Sequence, residues 1–276
     1  MHINDDSMEI DTSNISYNSG NESISGYLAY PKDGQKHPGI VLIHEIFGVD
    51  DHIKDVTERL AREGYTVLAP DLFSSEKFSG ILTKEAIGKA MNFMMSIPVD
   101  KQRDEKYRQE AMSKLRDSDR NAIAAVYGIL FINRPIDTFT GYLSSAVDFL
   151  TQHNGVNGKI GSVGFCFGGG MSINLGCTGK VDAAAIFYGE NPEPISKLRG
   201  VRHAVLGLYG GEDTRITSKA HELVKELADA KKNVTIKVYK GAYHAFFNNT
   251  RPQTYNETAA KDAWQMLLRF YKENLQ

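Results

Sequence analysis

The sequence predicts a single α/β domain in which a mostly parallel sheet carries helices on both faces. Short, continuous apolar runs recur along the chain, as expected for strands that are buried on both sides. Segments with helical apolar periodicity separate these runs, and such alternation is typical of parallel strands joined by right-handed crossovers. The length of 276 residues is sufficient for one large hydrophobic core.

The first half of this pattern begins with a predicted β-hairpin. Apolar residues alternate in "MEIDTSNISY" and in "ESISGYLAY", and "NSGN" between them has the residues of a tight turn. The apolar run "GIVLIHE" (39–45) predicts the first buried strand. Residues 51–63 predict an amphipathic helix, and "YTVLAP" (65–70) predicts the next strand.

Residues 72–139 interrupt the alternation, because they contain no strong strand signal. Within them, residues 100–120 carry seven basic and six acidic side chains, which are interleaved. Interleaved charges are typical of a solvated helix, whereas a binding tail usually carries a block of one sign. Residues 122–132 are more apolar and are expected to pack against the domain. We interpret 72–139 as a helical insertion over one end of the sheet, where a cap on an active site would lie.

The second half returns to alternating strands and helices. Apolar stripes predict helices at 141–153, 215–231 and 256–274. Continuous apolar runs predict buried strands at 159–165, 181–188 and 203–210. The segment "NVTIKVYK" (233–240) alternates between apolar and polar residues, which predicts a strand nearer the edge of the sheet.

The turn "GFCFGGG" has the pattern of a nucleophile elbow, with Cys166 in the position that serine usually occupies. Cys166 follows a predicted strand and precedes a predicted helix. So tight a turn leaves no room for side chains two positions away, and those positions hold Gly164 and Gly168. A helix N-terminus also favours the thiolate form of a cysteine. The alternative is a buried structural cysteine beside a glycine-rich helix start.

The order of the downstream residues favours the nucleophile. An elbow nucleophile requires an acid after a later strand and a histidine after the last strand. Asp213 follows strand 203–210, and His244 follows strand 233–240. We therefore predict that His244 takes the proton of the thiol and that Asp213 orients the imidazole.

Other acids and histidines have structural interpretations. Glu212 competes with Asp213 for the acidic role and is otherwise a solvated loop carboxylate. Among the remaining histidines, His52 is interpreted as an exposed helix residue and His44 as a packed strand end.

A second predicted component of the site follows the strand 39–45. Glu45 places a carboxylate at the end of a buried strand, which is unfavourable unless the charge is paired or functional. The loop after this strand supplies the second oxyanion donor in α/β hydrolases. We therefore assign the two donors to the backbone N–H groups of Ile46 and Phe167, and such donors contribute several kcal/mol to catalysis.

Together these motifs resemble the dienelactone hydrolase (carboxymethylenebutenolidase) family of the α/β-hydrolase superfamily. The matching segments are "HEIFG", "GYTVLAPDLF", "KIGSVGFCFGGG", "GEDTRI" and "GAYHAFF", in the order found in the family. The resemblance implies an α/β-hydrolase fold with Cys166, Asp213 and His244 as the catalytic triad. It also implies that Glu45 contacts the resting thiol and releases it when substrate binds.

One position departs from the family. Members that cleave dienelactone hold the substrate carboxylate with an arginine four residues after the catalytic histidine. Asn248 occupies that position here, and the nearest arginine is Arg251. Five residues are candidates for contact with the substrate: Phe47, Tyr243, Phe246, Asn248 and Arg251.

Composition restricts the possible partners. The formal net charge is −2, so a nucleic-acid or anionic-membrane surface is not expected. No apolar run approaches a membrane span, and the polar N-terminus lacks a signal core, which favours a cytoplasmic location. The two cysteines, Cys166 and Cys177, form no metal pattern, and no cofactor motif occurs. Cys177 is interpreted as a packing residue. The oligomeric state cannot be inferred.

The leading hypothesis is a hydrolase of a small ester or lactone that forms an acyl-enzyme at Cys166. A general carboxylesterase or thioesterase of the same fold is the enzymatic alternative. A non-catalytic ligand-binding module is the alternative from another class, but it would be expected to carry a broken triad.

Overall fold

The structure, a computed structural model, describes residues 8–101 and 104–276. Its centre is an eight-stranded sheet in the order β1-β2-β4-β3-β5-β6-β7-β8. The strands are β1 (Ile10–Ser19), β2 (Glu22–Pro31), β3 (His37–Ile43), β4 (Thr66–Pro70), β5 (Val156–Phe165), β6 (Ala183–Phe187), β7 (Ala204–Gly210) and β8 (Val234–Tyr239). All neighbours from β4 to β8 in this order pair in parallel. The predicted α/β-hydrolase fold is confirmed.

The predicted hairpin forms one edge of the sheet. β1 and β2 pair antiparallel, and β2 continues antiparallel onto β4. The turn between them contains Gly20, whose φ of 60° is a left-handed conformation that suits glycine. The alternating strand β8 lies at the opposite edge, as its pattern predicted.

Helices cover both faces because successive strand residues point to opposite sides. In β3, Ile40 and Leu42 join one buried cluster, whereas Val41 and Ile43 join another. On the first face lie α1 (Asp51–Arg62) and α10 (Glu257–Leu275). On the second face lie α6 (Ile136–Gln152), α7 (Phe167–Cys177) and α9 (Ala220–Asp229).

The segment between β4 and β5 carries the irregular part of the fold. Before α6 it contains α2 (Glu76–Ser79), α3 (Lys84–Ser96), a 3₁₀ turn (Val99–Lys101), α4 (Glu105–Ser113), α5 (Asp117–Tyr127) and a π-helical turn (Gly128–Ile132). Its apolar residues, including Phe78, Ile87 and Ile123, extend the cluster on the second face. A cavity of about 900 Å³ lies between α3, α4 and α5.

One predicted helix is divided in two. The segment 215–231 forms a short helix α8 (Thr214–Thr217) and then α9, with Ser218 and Lys219 between them. Leu223 and Leu227 of α9 are fully buried, so the apolar stripe was assigned correctly and the start of the helix was not. Within residues 8–101 and 104–276, no helix has the length and apolar character needed to cross a bilayer.

Candidate active site

Cys166 occupies a strained turn between β5 and α7. Its φ is 55° and its ψ is −117°, a conformation that costs free energy in a residue with a side chain. Hydrogen bonds on both sides hold this backbone. The Cys166 N–H donates to the Phe187 carbonyl at 3.0 Å, and the Cys166 carbonyl accepts from the Gly170 N–H at 3.2 Å. Cys166 is half-buried at the start of α7.

The glycines on either side of Cys166 allow the backbone segments to meet. A Cβ at Gly164 would lie 1.9 Å from the carbonyl oxygen of Gly168. A Cβ at Gly168 would lie 2.2 Å from the carbonyl oxygen of Ile43, at the end of β3. Both distances are far below van der Waals contact. Gly164 therefore allows β5 to approach the first turn of α7, and Gly168 allows that turn to pack directly against the end of β3.

His244 and Asp213 lie at the same edge of the sheet, after β8 and β7. His244 Nδ1 is 2.5 Å from Asp213 Oδ2, and the Asp213 side chain is only 7% exposed. Burial lowers the pKa of His244, but its interactions with Asp213 and with the Cys166 thiol outweigh that effect and raise the pKa to about 10. The arrangement therefore favours a protonated imidazole between a carboxylate and a sulfur.

Glu212 points elsewhere. Its carboxylate accepts a hydrogen bond from the Gly241 N–H at 3.3 Å. Of the two acids that the sequence offered, the structure brings Asp213 to the imidazole.

Glu45 lies at the carboxyl end of β3 and is 2% exposed. Asn248 Nδ2 donates to its Oε2 at 2.8 Å, and the nearest guanidinium nitrogen of Arg251 lies 3.7 Å from the same oxygen. The Arg251 guanidinium also lies 4.4 Å from the centre of the Phe47 ring. Asn248 and Arg251, two candidates for substrate contact, are thus joined to Glu45 in one polar network, in which Glu45 and Asn248 are buried and Arg251 is partly exposed.

The remaining candidates for substrate contact are in different environments. Phe47 is half-buried beneath Arg251, and Tyr243 is 56% exposed. Phe246 is fully buried, with Tyr188 and Tyr239 against its ring. Phe246 therefore has no surface to offer a ligand.

The two proposed oxyanion donors lie on adjoining segments. Ile46 follows Glu45 in the turn after β3, and its N–H donates no hydrogen bond to the described parts of the chain. Phe167 is the first residue of α7, where N–H groups have no partner within the helix. The Cβ position of Gly168 against Ile43 shows that these segments are in contact.

Three residues near the site have environments that the sequence did not reveal. Tyr188 follows β6 with a φ of 41°, and its ring centre lies 5.1 Å from that of His244. The sequence signal that could have identified Tyr188 was its position as the last residue of the predicted buried strand 181–188. His52 is 2% exposed rather than an exposed helix residue, and its ring packs against Phe165. His44 is fully buried, as expected of a packed strand end, but it also makes two hydrogen bonds.

Comparison with known proteins agrees with this architecture. The model of the family described as "Dienelactone hydrolase family" matches residues 24–275. A candidate carboxymethylenebutenolidase of Saccharolobus solfataricus is 36% identical over 260 residues, which cover 94% of this chain and 97% of that protein. A candidate carboxymethylenebutenolidase of Synechocystis sp. is 30% identical over 281 residues, which cover 97% of this chain and 99% of that protein.

Solved structures show the same relationship. The crystal structure of a candidate dienelactone hydrolase from Klebsiella pneumoniae matches with a TM-score of 0.71 at 25% sequence identity. The match covers 96% of this chain and 99% of that chain. Since the family model spans nearly the whole sequence and two relatives reach 30% identity or more, this chain belongs to the dienelactone hydrolase family of the α/β hydrolases.

Proposed function

We propose that this protein hydrolyses a small ester or lactone through a Cys166–His244–Asp213 triad and an acyl-enzyme intermediate. The observation that carries the proposal is the 2.5 Å contact between His244 and Asp213, in an imidazole that also interacts with the thiol of the strained Cys166. Nucleophile, base and orienting acid are the parts that acyl transfer needs.

The first half-reaction forms the acyl-enzyme. His244 takes the proton of the Cys166 thiol, and the sulfur attacks the substrate carbonyl. The negative charge moves to the carbonyl oxygen, where the N–H groups of Ile46 and Phe167 donate to it. The intermediate collapses, the bond to the alkoxide or enolate breaks, and that leaving group takes the proton from His244.

The second half-reaction restores the enzyme. A water molecule takes the place of the leaving group. His244 removes a proton from this water as the water attacks the thioester. The second tetrahedral intermediate collapses, the carbon–sulfur bond breaks and the acid is released, and His244 returns the proton to the sulfur. The overall reaction adds one water across one ester bond and requires no other reactant.

The identity of the substrate depends on the network around Glu45. The names of the relatives favour an enol-lactone that carries a carboxylate. In family members that cleave dienelactone, an arginine at the position of Asn248 holds this carboxylate. Arg251 offers a substitute, since its guanidinium is about one-third exposed and lies over Phe47. The general carboxylesterase hypothesis requires no such cation.

Cys166→Ala tests the nucleophile. We expect its hydrolysis of p-nitrophenyl acetate to fall by at least about 10³-fold, and mass spectrometry should detect an acetyl adduct only in the wild type. Activity of the variant equal to the wild type would overturn the proposal.

A comparison of kcat/KM on a carboxylate-bearing enol-lactone and on neutral aryl esters then separates the two hypotheses. A preference for the lactone that Arg251→Gln removes, with aryl-ester turnover retained, supports the dienelactone-type substrate.

A further inference from the structure

His44 is a fully buried polar residue that the proposed reaction does not use. It is the first residue after β3, and its side chain is 0% exposed. Its Nδ1 lies 2.5 Å from the carbonyl oxygen of Glu45, the next residue. Its Nε2 accepts a hydrogen bond from the Leu72 N–H at 3.1 Å. Both ring nitrogens therefore have backbone partners, and these belong to two different loops.

These partners determine the form of the ring. A carbonyl oxygen can only accept, so Nδ1 must carry the hydrogen and donate it to Glu45. A backbone N–H can only donate, so Nε2 must be unprotonated. Burial lowers the pKa of His44 despite the Asp71 carboxylate 4.0 Å from Nε2, which is consistent with a neutral ring. His44 is thus a fixed donor toward one specific carbonyl.

That carbonyl belongs to the peptide unit that carries the Ile46 N–H. The peptide unit is planar, and in its trans form the C=O and N–H point in opposite directions. The Glu45–Ile46 bond is trans, since the cis bond found in the described residues is Glu193–Pro194. When His44 holds the Glu45 oxygen on one side, the Ile46 N–H is directed to the other side. The N–H has no acceptor of its own within the described residues.

We propose that His44 is a positioning residue that aims the Ile46 N–H at the developing oxyanion. The inference rests on the proposed function, because it concerns the oxyanion donor of that reaction. The His44 ring also lies against the side chain of Phe167, with 6.2 Å between the ring centres. Phe167 carries the other proposed donor. One buried ring therefore supports the segments that hold both donors.

Two substitutions separate the two hydrogen bonds of the ring. The amide nitrogen of asparagine occupies nearly the place of Nδ1, so His44→Asn keeps a donor for Glu45 and loses the acceptor for Leu72. The amide of glutamine reaches the place of Nε2, so His44→Gln keeps an acceptor for Leu72 and loses the donor for Glu45. Both variants have neutral polar side chains, which makes them a matched pair.

The experiment compares two reactions of the same sulfur. Acylation by p-nitrophenyl acetate, measured as the burst of p-nitrophenolate, passes through an oxyanion. Alkylation by iodoacetamide is a displacement at carbon and forms none. We expect acylation to fall about 10- to 100-fold in His44→Gln and to remain within about threefold of wild type in His44→Asn, since loss of one oxyanion donor costs about 10²–10³ in rate. Alkylation should stay within about twofold in both variants.

A purely structural role would give a different result. Thermal unfolding of both variants measures the effect on packing. If His44 acted only on stability, through its bond to Leu72, His44→Asn should have the lower Tm of the two variants. Equal acylation rates in the two variants, or a parallel loss of acylation and alkylation, would overturn the inference. Cys166→Ala serves as the reference. If it retained ester turnover, both the proposed function and the inference would fail, whereas normal acylation by His44→Gln would overturn the inference alone.

Discussion

Cys166 combines an unfavourable backbone conformation with a thiol at a half-buried position. Its positive φ is maintained by hydrogen bonds to Phe187 and Gly170 and by the close contact of Gly164 with Gly168. The other cysteine has the opposite character. Cys177 ends α7 and packs against the cluster around Leu198, and burial raises the pKa of its thiol to about 12. The two thiols of this chain should therefore differ strongly in reactivity.

Alkylation tests this difference. At pH 7, a thiol with a pKa near 12 is ionised in roughly one molecule in 10⁵, so we expect iodoacetamide to add one carbamidomethyl group, at Cys166. Intact-mass measurement should show one adduct on the wild type and on Cys177→Ala, and none on Cys166→Ala in the same period. Rapid labelling of Cys166→Ala would contradict the assignment of Cys177 as a packing residue.

His244 links the site to the stability of the protein. Its pKa in the folded protein is raised to about 10, so folding favours the protonated ring. This contribution is complete below the ordinary pKa of 6.5 and is lost as the pH rises through about 10, because the unfolded chain binds fewer protons over that interval. We expect the free energy of unfolding of the wild type to decrease from pH 6.5 to 10 more steeply than that of His244→Asn. Urea unfolding at several pH values measures the two slopes, and parallel slopes would contradict the raised pKa.

At the scale of elements, the first turn of α7 depends on how closely it approaches β3. Gly168 is the contact point, since a Cβ there would overlap the carbonyl oxygens of Ile43 and His44 at 2.2 and 2.5 Å. The backbone of both elements would have to separate to admit a methyl group. Such a shift would move the proposed nucleophile relative to the proposed Ile46 donor, because Gly168 lies two residues from Cys166.

Alanine at two positions of this helix tests the contact. Gly168→Ala should reduce kcat/KM for p-nitrophenyl acetate by at least about 100-fold or prevent folding, since overpacking of this kind costs about 1–3 kcal/mol or more. Gly170→Ala is the matched control. Its Cβ would lie 3.4 Å from the backbone carbonyl oxygen of Glu190, which is ordinary contact, so activity should stay within about twofold. The helix should gain stability, because alanine favours a helix more than glycine does. Circular dichroism distinguishes misfolding from loss of activity, and an active Gly168→Ala would contradict the steric argument.

The elements differ in how well the sequence predicted them. The strands of the sheet centre were predictable because burial on both faces leaves a continuous apolar run, as in β3. The break between α8 and α9 was not, because no glycine or proline marks it and the apolar stripe continues. The proposed triad positions were inferred from the order of strands and loops, and the structure brings two of these residues, His244 and Asp213, into contact. The binding of Glu45 by Asn248 could not be predicted, since it joins residues 203 positions apart in the chain.

At the scale of the whole molecule, the helical segment before α6 must be fixed to the edge of the sheet that carries the site. Glu190, in the loop after β6, forms ion pairs with Arg134, just before α6, and with Arg215 of α8. Burial raises the pKa of Glu190, but its hydrogen bonds and ion pairs with the two arginines outweigh that effect and hold the pKa below 4.5. Three separate parts of the chain therefore meet at one carboxylate.

Glu190→Gln should weaken this junction, because it leaves the two arginine charges facing each other without a carboxylate between them. The ion pairs are partly exposed, so we expect a decrease of about 1 kcal/mol, or a Tm lower by about 2 °C at pH 7. Glu193→Gln, which removes the same charge at an exposed position of the loop after β6, should leave the Tm within about 0.5 °C. A carboxyl with a lowered pKa stabilises the fold above its ordinary pKa and ceases to do so as the pH falls through its lowered value. The difference between wild type and Glu190→Gln should therefore diminish as the pH is lowered below 4.5, and a difference that did not change with pH would show that the carboxylate charge is not its cause.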